Sequence, residues 1–297
     1  MNRTILLAGM ALALTVSAAR ADAVFTPASL PPGETKRLID EYRAREIRPG
    51  VVQSAAMLRC IMDVTGASLG RADADCGRAM LLNPGDPEPY KVRGTVYLLQ
   101  GHYERALDDL THAVEIDAAD AGSYATRGEA HRALGDFGSA VADLSRAIAL
   151  SPKSAFFWNS RCWARAEANR ELAQALADCG MSLTLFPKSP AALDSRDFVY
   201  LRLRQYDRAI RDYDAALQLQ PAYPSSLFGR GIAKLHLKRI VSGKADIVRA
   251  RALDPEIDGF FANLGITTQS LPMPAPQQPK SPRKQPHEKL SDRYANR

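Results

Sequence analysis

A repeat of about 34 residues constrains the fold of this 297-residue chain more than any other feature. One apolar position recurs at spacings of 34, 34, 35, 34 and 34 residues, as Leu82, Ile116, Leu150, Leu185, Leu219 and Leu253. A proline stands two residues later in five of the six copies, and small residues stand ten and three residues earlier. This register predicts that the chain stacks copies of one supersecondary unit.

Each unit has the pattern of two amphipathic helices joined by a short polar turn. In the unit 87–120, apolar and small residues follow helical spacing before and after a turn at 100–102. A small residue facing a large one lets two helix axes approach closely. The proline after the second helix ends it and sets the turn into the next unit.

The repeat resembles the tetratricopeptide repeat family. The residues that match the family pattern in three units are Tyr90, Gly94, Tyr97, Tyr103, Ala106 and Ala113, then Tyr124, Gly128, Phe137, Ala140, Ala147 and Pro152, then Tyr200, Tyr206, Ala209, Tyr213, Ala216 and Pro221. We count six units, at 53–86, 87–120, 121–154, 155–189, 190–223 and 224–257. The resemblance implies an all-α, right-handed superhelical solenoid with the first helix of each unit lining a concave groove.

The two ends of the chain differ from the repeats. Residues 1–21 have a basic start, an apolar run and an A-x-A pattern, as in a secretory signal peptide. We expect cleavage near Ala21, with Ala23 as the alternative site and an uncleaved anchor as the competing interpretation. Residues 22–52 would form a linker with a capping helix at 33–46. A cap at 258–266 and a disordered, Pro/Gln-rich basic tail at 267–297 would follow the array.

The formal net charge of +6 lies outside the repeats. The signal peptide and the tail carry the whole excess of basic residues, and residues 22–266 have as many acidic as basic residues. The composition therefore gives no support to nucleic-acid binding by the array. The tail alone retains a charge suited to weak contact with anionic surfaces. The signal peptide predicts a periplasmic or secreted protein, in a compartment that permits disulfides.

Two charged columns run through all six units. Every first helix has an arginine at one position and every second helix has an aspartate at another, as Arg59, Arg93, Arg127, Arg161, Arg196 and Arg230 with Asp75, Asp109, Asp143, Asp178, Asp212 and Asp246. We predict a structural ladder of Arg–Asp pairs, within one unit or between neighbouring units. The competing interpretation is a row of arginines that binds anions.

The four cysteines occupy two facing columns of the repeat. Cys60 and Cys162 stand where other first helices have glycine, and Cys76 and Cys179 stand where other second helices have a large residue. Register thus selects the disulfides Cys60–Cys76 and Cys162–Cys179 from the three pairings that four cysteines allow. Free buried thiols and a metal or redox site are the alternatives, although the chain has no CxxC motif.

Motifs of catalysis or cofactor binding find little support. Gly66-Ala67-Ser68-Leu69-Gly70 matches G-x-S-x-G but falls between two helices, where a nucleophile elbow needs a preceding strand. The histidines stand at unrelated repeat positions, as His102, His112, His131, His236 and His287. Phosphate loops, zinc-protease motifs and calcium loops are missing from the sequence. We therefore predict a protein that is not an enzyme and has no cofactor or metal.

The family resemblance assigns some first-helix positions to the concave groove. In the C-terminal half these positions are apolar, and we predict a groove that binds a partner segment through Trp163, Phe198, Leu201, Phe228, Ile232 and Leu235. The alternative is that these side chains pack on the chain's own segment after Pro255. The predicted function is a protein–protein interaction scaffold or adaptor of the bacterial envelope. Alternatives are a structural tether whose basic tail holds an anionic surface, and a regulatory subunit of an envelope enzyme complex.

Overall fold

The computed structural model describes Cys60 and residues 69–267. Several predictions concern residues outside this range: the signal peptide, the capping helix at 33–46, Arg59, the serine of the G-x-S-x-G match, and the tail beyond residue 267. Within the described residues the secondary structure is helical throughout, with no strand. The all-α superhelical repeat fold predicted from the sequence is therefore confirmed.

Twelve helices follow one another in the described part of the chain, and all but the last have 13 or 14 residues. They are α1 (Leu69–Leu82), α2 (Pro87–Gln100), α3 (Tyr103–Ile116), α4 (Ala121–Ala133), α5 (Phe137–Leu150), α6 (Ala155–Glu167), α7 (Leu172–Leu185), α8 (Pro190–Arg202), α9 (Tyr206–Leu219), α10 (Pro224–His236), α11 (Ile240–Leu253) and α12 (Ile257–Asn263). The even-numbered helices from α2 to α10 are first helices of a unit, and the odd-numbered helices are second helices.

Local sequence explains where the helices begin and turn. The Asp86 carboxylate caps α2 by accepting from the Glu88 amide, and Pro87 opens the helix where no backbone donor is needed. The residue fifteenth in each unit from α2 onward has a positive φ, as Gly101, Gly135, Asn169, Arg204 and Lys238. The fourth unit has one residue more than the others, and its turn contains a second left-handed residue, Glu171.

Small residues bring the two helices of a unit into close contact. A Cβ added to Gly94 would lie 2.7 Å from Leu110 Cγ, and one added to Gly231 would lie 2.7 Å from Ile247 Cγ1. Each first helix from α4 onward also packs on the second helix of the preceding unit. Successive first helices contact each other as well, so they form the inner wall of the array.

A search for membrane-spanning helices over the described residues finds none with the necessary length and apolar character.

Candidate functional site

The arginine and aspartate columns meet inside each unit. Five arginines donate two hydrogen bonds each, at 2.6–2.9 Å, to both carboxylate oxygens of an aspartate on the second helix, in the pairs Arg93–Asp109, Arg127–Asp143, Arg161–Asp178, Arg196–Asp212 and Arg230–Asp246. Asp75 is the sixth aspartate of the column, and Arg59 lies outside the described residues. The bidentate geometry raises the pKa of Arg93, Arg127 and Arg196 through hydrogen bonds to the aspartates.

Four of these arginines, all except Arg196, also contact the preceding unit through their Nη1 atoms. The Nη1 atom of Arg161 donates to the Ser145 hydroxyl at 2.9 Å, and Nη1 of Arg230 donates to Asp214 at 2.6 Å. The sequence left open whether the ladder joins helices of one unit or of neighbouring units. The bidentate pairs lie within units, and the remaining guanidinium nitrogen, Nη1, makes the contacts between units. These five guanidinium groups therefore have protein partners, which argues against a row of anion sites.

Both predicted cysteine pairs are joined in the structure. The Cα atoms of Cys60 and Cys76 are 4.7 Å apart and those of Cys162 and Cys179 are 5.4 Å apart, within the ordinary range for disulfides. All four side chains are fully buried. Among the described residues, no cluster of His, Cys, Asp and Glu could hold a metal ion. A disulfide thus takes the place of the glycine–leucine contact in two units.

In the fifth unit, a third kind of residue pair stands at the two facing positions that hold glycine and a large residue, or two cysteines, in other units. Asp197 stands where Gly94 and Gly231 stand, and Tyr213 stands where Leu110 and Ile247 stand. Both side chains are almost completely buried. Neither Asp197 carboxylate oxygen has a hydrogen-bond partner of ordinary geometry, nor does the Tyr213 hydroxyl. This pair was not among the predicted site residues, although an acidic residue in a column of small residues was a signal that could have revealed it.

The buried position changes the acidity of Asp197. Burial, followed by the nearby charges of Asp194 and Asp212, raises the pKa of Asp197 well above its ordinary value. Burial likewise raises the pKa of Tyr213. An added Cβ on Gly229 of α10 would collide with the Tyr213 hydroxyl, so α10 approaches this pair closely. The packing of α8, α9 and α10 therefore encloses an acid that prefers to be neutral.

Asp197→Asn is expected to stabilise the protein at pH 7.5, by about 1–3 kcal/mol, because it removes a buried carboxylate without a regular hydrogen bond. The folded protein holds this proton more tightly than the unfolded chain does. The stability linked to it is therefore complete below about pH 4, the ordinary aspartate pKa, and is lost as the pH rises through the raised pKa.

Thermal unfolding followed by circular dichroism between pH 4 and pH 8 tests this expectation. The gain from Asp197→Asn should grow with pH, whereas the exposed Glu256→Gln serves as a control that should follow the wild-type profile. A gain for Asp197→Asn that is the same at every pH would contradict the titration of this group.

The six apolar groove residues are buried in the structure. Their side chains are 1–7% exposed and belong to one core cluster, as Trp163, Phe198, Leu201, Phe228, Ile232 and Leu235. The helix α12 packs against them through Phe261 and the partly buried Phe260. The structure therefore has the packing on the segment after Pro255 that was the alternative interpretation, and partner binding by this wall stays a prediction.

Aromatic contacts show how α12 is seated. The Phe261 ring lies 4.5 Å from the Phe228 ring and 6.3 Å from the Phe198 ring, measured between centroids. The Phe260 ring stacks at 6.4 Å on Trp163, which belongs to a unit 97 residues earlier in the chain. Because Trp163, Phe198 and Phe228 all lie on first helices, α12 occupies the inner wall. This position of α12 is favourable because it buries these rings, which would otherwise expose a large apolar area to water.

The inner wall of the N-terminal half is charged, and its charges are paired. Lys91 contacts Glu88 at 2.5 Å and Asp120 at 3.5 Å. Arg132 donates to Glu129 at 2.7 Å and to Glu167 of a neighbouring first helix at 2.6 Å. The ion pairs with Asp120 and Glu167 link successive units along the wall, and the large apolar side chains of the wall lie in the C-terminal half.

The described histidines remain apart from one another. The His131 ring lies 3.4 Å from Asp136, and the His236 ring stacks at 4.5 Å on Tyr206. Burial lowers the pKa of His236. His102 and His112 lie near Tyr97 and Tyr90 respectively, and His287 falls outside the described residues.

Known proteins provide an independent comparison with this architecture. Residues 91–155 and 199–242 match the family model described as tetratricopeptide repeat. No curated protein matches the chain. Tetratricopeptide arrays are typically protein–protein interaction scaffolds without enzymatic activity.

Three solved structures share the fold at 16% identity. PilW, described as a widely conserved type IV pilus biogenesis factor, aligns over 71% of this chain and 98% of its own with a TM-score of 0.63. PilF of Pseudomonas aeruginosa aligns over 72% and 98% with a TM-score of 0.60. A chain of the APC/C Cut9–Hcn1 hetero-tetramer aligns over 72% of this chain but only 42% of its own, with a TM-score of 0.62. Residues 91–155 and 199–242 thus match the tetratricopeptide repeat model, and the described helices have the fold that these solved structures share.

Proposed function

We propose that this protein is a non-enzymatic interaction scaffold of the bacterial envelope, and that the inner wall of its array binds a segment of another envelope protein. The partner-binding residues would be Trp163, Phe198, Leu201, Phe228, Ile232 and Leu235. The proposal includes export through the signal peptide at 1–21 and residence in the periplasm or outside the cell.

The proposal rests on how α12 is bound. Its binding site on the inner wall, formed around Trp163, Phe198 and Phe228, is here called the seat. A short helix with two neighbouring phenylalanines fits against aromatic side chains of three first helices, at centroid distances of 4.5–6.4 Å. A helix of another protein with similar side chains could make the same contacts by taking the place of α12, as in other helix-in-groove complexes. Aromatic anchors are also the residues that usually dominate the energy of an interface.

The disulfides support the proposed compartment. Both connect buried cysteines inside a unit, and such bonds persist in oxidising compartments such as the periplasm. They also stiffen the first described unit and the fourth, which contributes Trp163 to the seat. A stiff wall reduces the entropy that is lost when a partner segment is ordered on it.

The test is a capture experiment with the chain beginning after Ala21, immobilised in oxidised form, and a periplasmic extract. Trp163→Ala/Phe198→Ala should lose a partner that the wild type retains, because both anchors of the wall are removed. Val241→Ala/Val248→Ala is the matched control, since these valines of α11 are 86% and 64% exposed and lie away from the seat.

Circular dichroism must first show that both double variants keep the helical fold. If the groove variant folds and retains every wild-type partner, the inner wall is not the binding surface. If a tail deletion alone releases the protein from the envelope fraction, the tether function predicted as an alternative replaces this proposal.

A further inference from the structure

The inner wall contains three buried polar atoms that have no hydrogen-bond partner among the residues that the structure describes. Trp163 Nε1, Asn159 Oδ1 and Arg202 Nε are all buried without a hydrogen bond. The Trp163 side chain as a whole is only 6% exposed. Asn159 and Trp163 lie one helical turn apart on α6, and Arg202 lies at the end of α8. Buried donors and acceptors are normally satisfied, so this set of atoms is incomplete without a further group.

Arg202 differs from the other inner-wall charges. Lys91 and Arg132 each contact two carboxylates, whereas Arg202 has no ion pair within the part of the chain that the structure describes. Its Nη2 atom donates only to the Glu167 backbone oxygen, at 3.4 Å. The guanidinium carbon lies 5.0 Å from the centre of the Phe198 ring. A guanidinium that lies on an aromatic ring and has no ion pair can still donate hydrogen bonds to an anionic partner.

The helix α12 covers the apolar side chains of this wall but makes no hydrogen bond to its buried polar atoms. Phe260 and Phe261 cover Trp163, Phe198 and Phe228. The acidic residue that precedes them in α12, Asp258, instead pairs with Arg251 of α11, at 2.6 and 2.7 Å. No carboxylate of α12 therefore reaches Arg202.

We propose that this wall recognises a partner segment with two adjacent aromatic residues and a nearby carboxylate. This inference rests on the proposed function and names the chemistry of the partner. The aromatic pair takes the positions of Phe260 and Phe261, the carboxylate accepts from Arg202, and the Trp163 indole N–H donates to a backbone or side-chain oxygen of the segment. Asn159 Oδ1 accepts from a backbone amide of the same segment.

On this proposal α12 is a competing internal ligand. It is the shortest helix of the described array and lies at its end, so it can leave without unstacking any repeat. The partner has to displace α12. Its apparent affinity is therefore its affinity for the free wall multiplied by the fraction of molecules whose wall is free. Weakening α12 should therefore strengthen binding in trans.

The experiment uses synthetic peptides of residues 255–266, which keep the pair Phe260–Phe261 and the native Glu256 and Asp258. Each peptide has one further Asp, or its neutral counterpart Asn, at one of the four positions after the pair. The host is the chain from residue 22 with Phe260→Ala/Phe261→Ala, so that its own α12 no longer fills the seat. Trp158→Phe in the same host leaves Trp163 as the single tryptophan, because the sequence contains two. Trp163 fluorescence and calorimetry report binding.

At least one Asp peptide should bind about tenfold more tightly than its Asn counterpart, as expected for a charge-assisted hydrogen bond. Arg202→Gln should abolish that difference, whereas Arg211→Gln, an exposed arginine on α9, should preserve it. Replacing both phenylalanines of the peptide by alanine should abolish binding. The chain with its native α12 should bind each peptide more weakly than the host does.

Three results would overturn the inference. They are no binding of any peptide to the host, equal affinity for all Asp and Asn counterparts, and an Asp preference that survives Arg202→Gln. The capture experiment separates this failure from that of the proposed function. Loss of a partner with Trp163→Ala/Phe198→Ala, together with peptides that fail to bind, would keep the groove as an interface and reject only the acidic-aromatic partner.

Discussion

Asp178→Ala is expected to lower the free energy of unfolding by about 3–5 kcal/mol, the largest effect among the substitutions considered. Asp178 is 3% exposed and accepts hydrogen bonds from Arg161 at 2.9 and 2.6 Å and a further short one from Arg165. Its removal leaves the Arg161 guanidinium without a carboxylate and Arg165 with Glu171 alone. Two partly buried cations then lose the group that compensated their desolvation.

Urea unfolding followed by circular dichroism measures this loss. The matched control is Asp214→Ala, because Asp214 also contacts an arginine of the ladder, Arg230, at 2.6 Å but is 49% exposed. We expect a change below about 1 kcal/mol for this control, as for other exposed pairs. Similar losses for the two variants would show that burial does not set the strength of the ladder.

Removal of the Cys162–Cys179 disulfide is expected to cost about 3 kcal/mol. The bond closes a loop with a sequence separation of 17, and a cross-link of this span restricts the unfolded chain by about that free energy. Cys162→Ala/Cys179→Ala should therefore unfold at lower urea concentration than the oxidised wild type. The substituted unit also loses packing, because both sulfurs are fully buried.

The array itself suggests a control that separates the covalent bond from the packing. The preceding unit fills the same register with Gly128 and Leu144, which pack so closely that a Cβ added to Gly128 would lie 3.1 Å from Leu144 Cγ. Cys162→Gly/Cys179→Leu copies that solution. This variant should lose less stability in dithiothreitol than the wild type does, because only the Cys60–Cys76 bond remains to be reduced. A wild type whose unfolding is unchanged by reductant would contradict a stabilising disulfide.

Much of the architecture could be predicted because the relevant contacts lie within one repeat. The bidentate arginine–aspartate pairs join residues 16 or 17 positions apart, and so do the two disulfides. At that separation the partners are fixed by two helices and one turn, so that the register of the repeat specifies which side chains face each other. The same register contained the Asp197–Tyr213 pair, which a comparison of columns could have identified.

The occupant of the inner wall could not be predicted in this way. The contact between Phe260 and Trp163 joins residues 97 positions apart, on helices separated by five others. It depends on the superhelical curvature of the stacked units, which sums small rotations from one unit to the next. A periodic pattern predicts which residues line the wall, but it does not predict how close α12 comes to them.

The sequence by itself determined the period, the helical pairs, the facing columns and the family resemblance, because all of these follow from local spacing and from contacts inside a unit. Only the tertiary structure decided that α12 covers the apolar wall, that Asp197 is enclosed by α8, α9 and α10, and that Arg202 is left without an ion pair in the described array. These features arise where helices of different units approach one another, and the free energy of burying rings and charges there depends on packing that no single repeat contains.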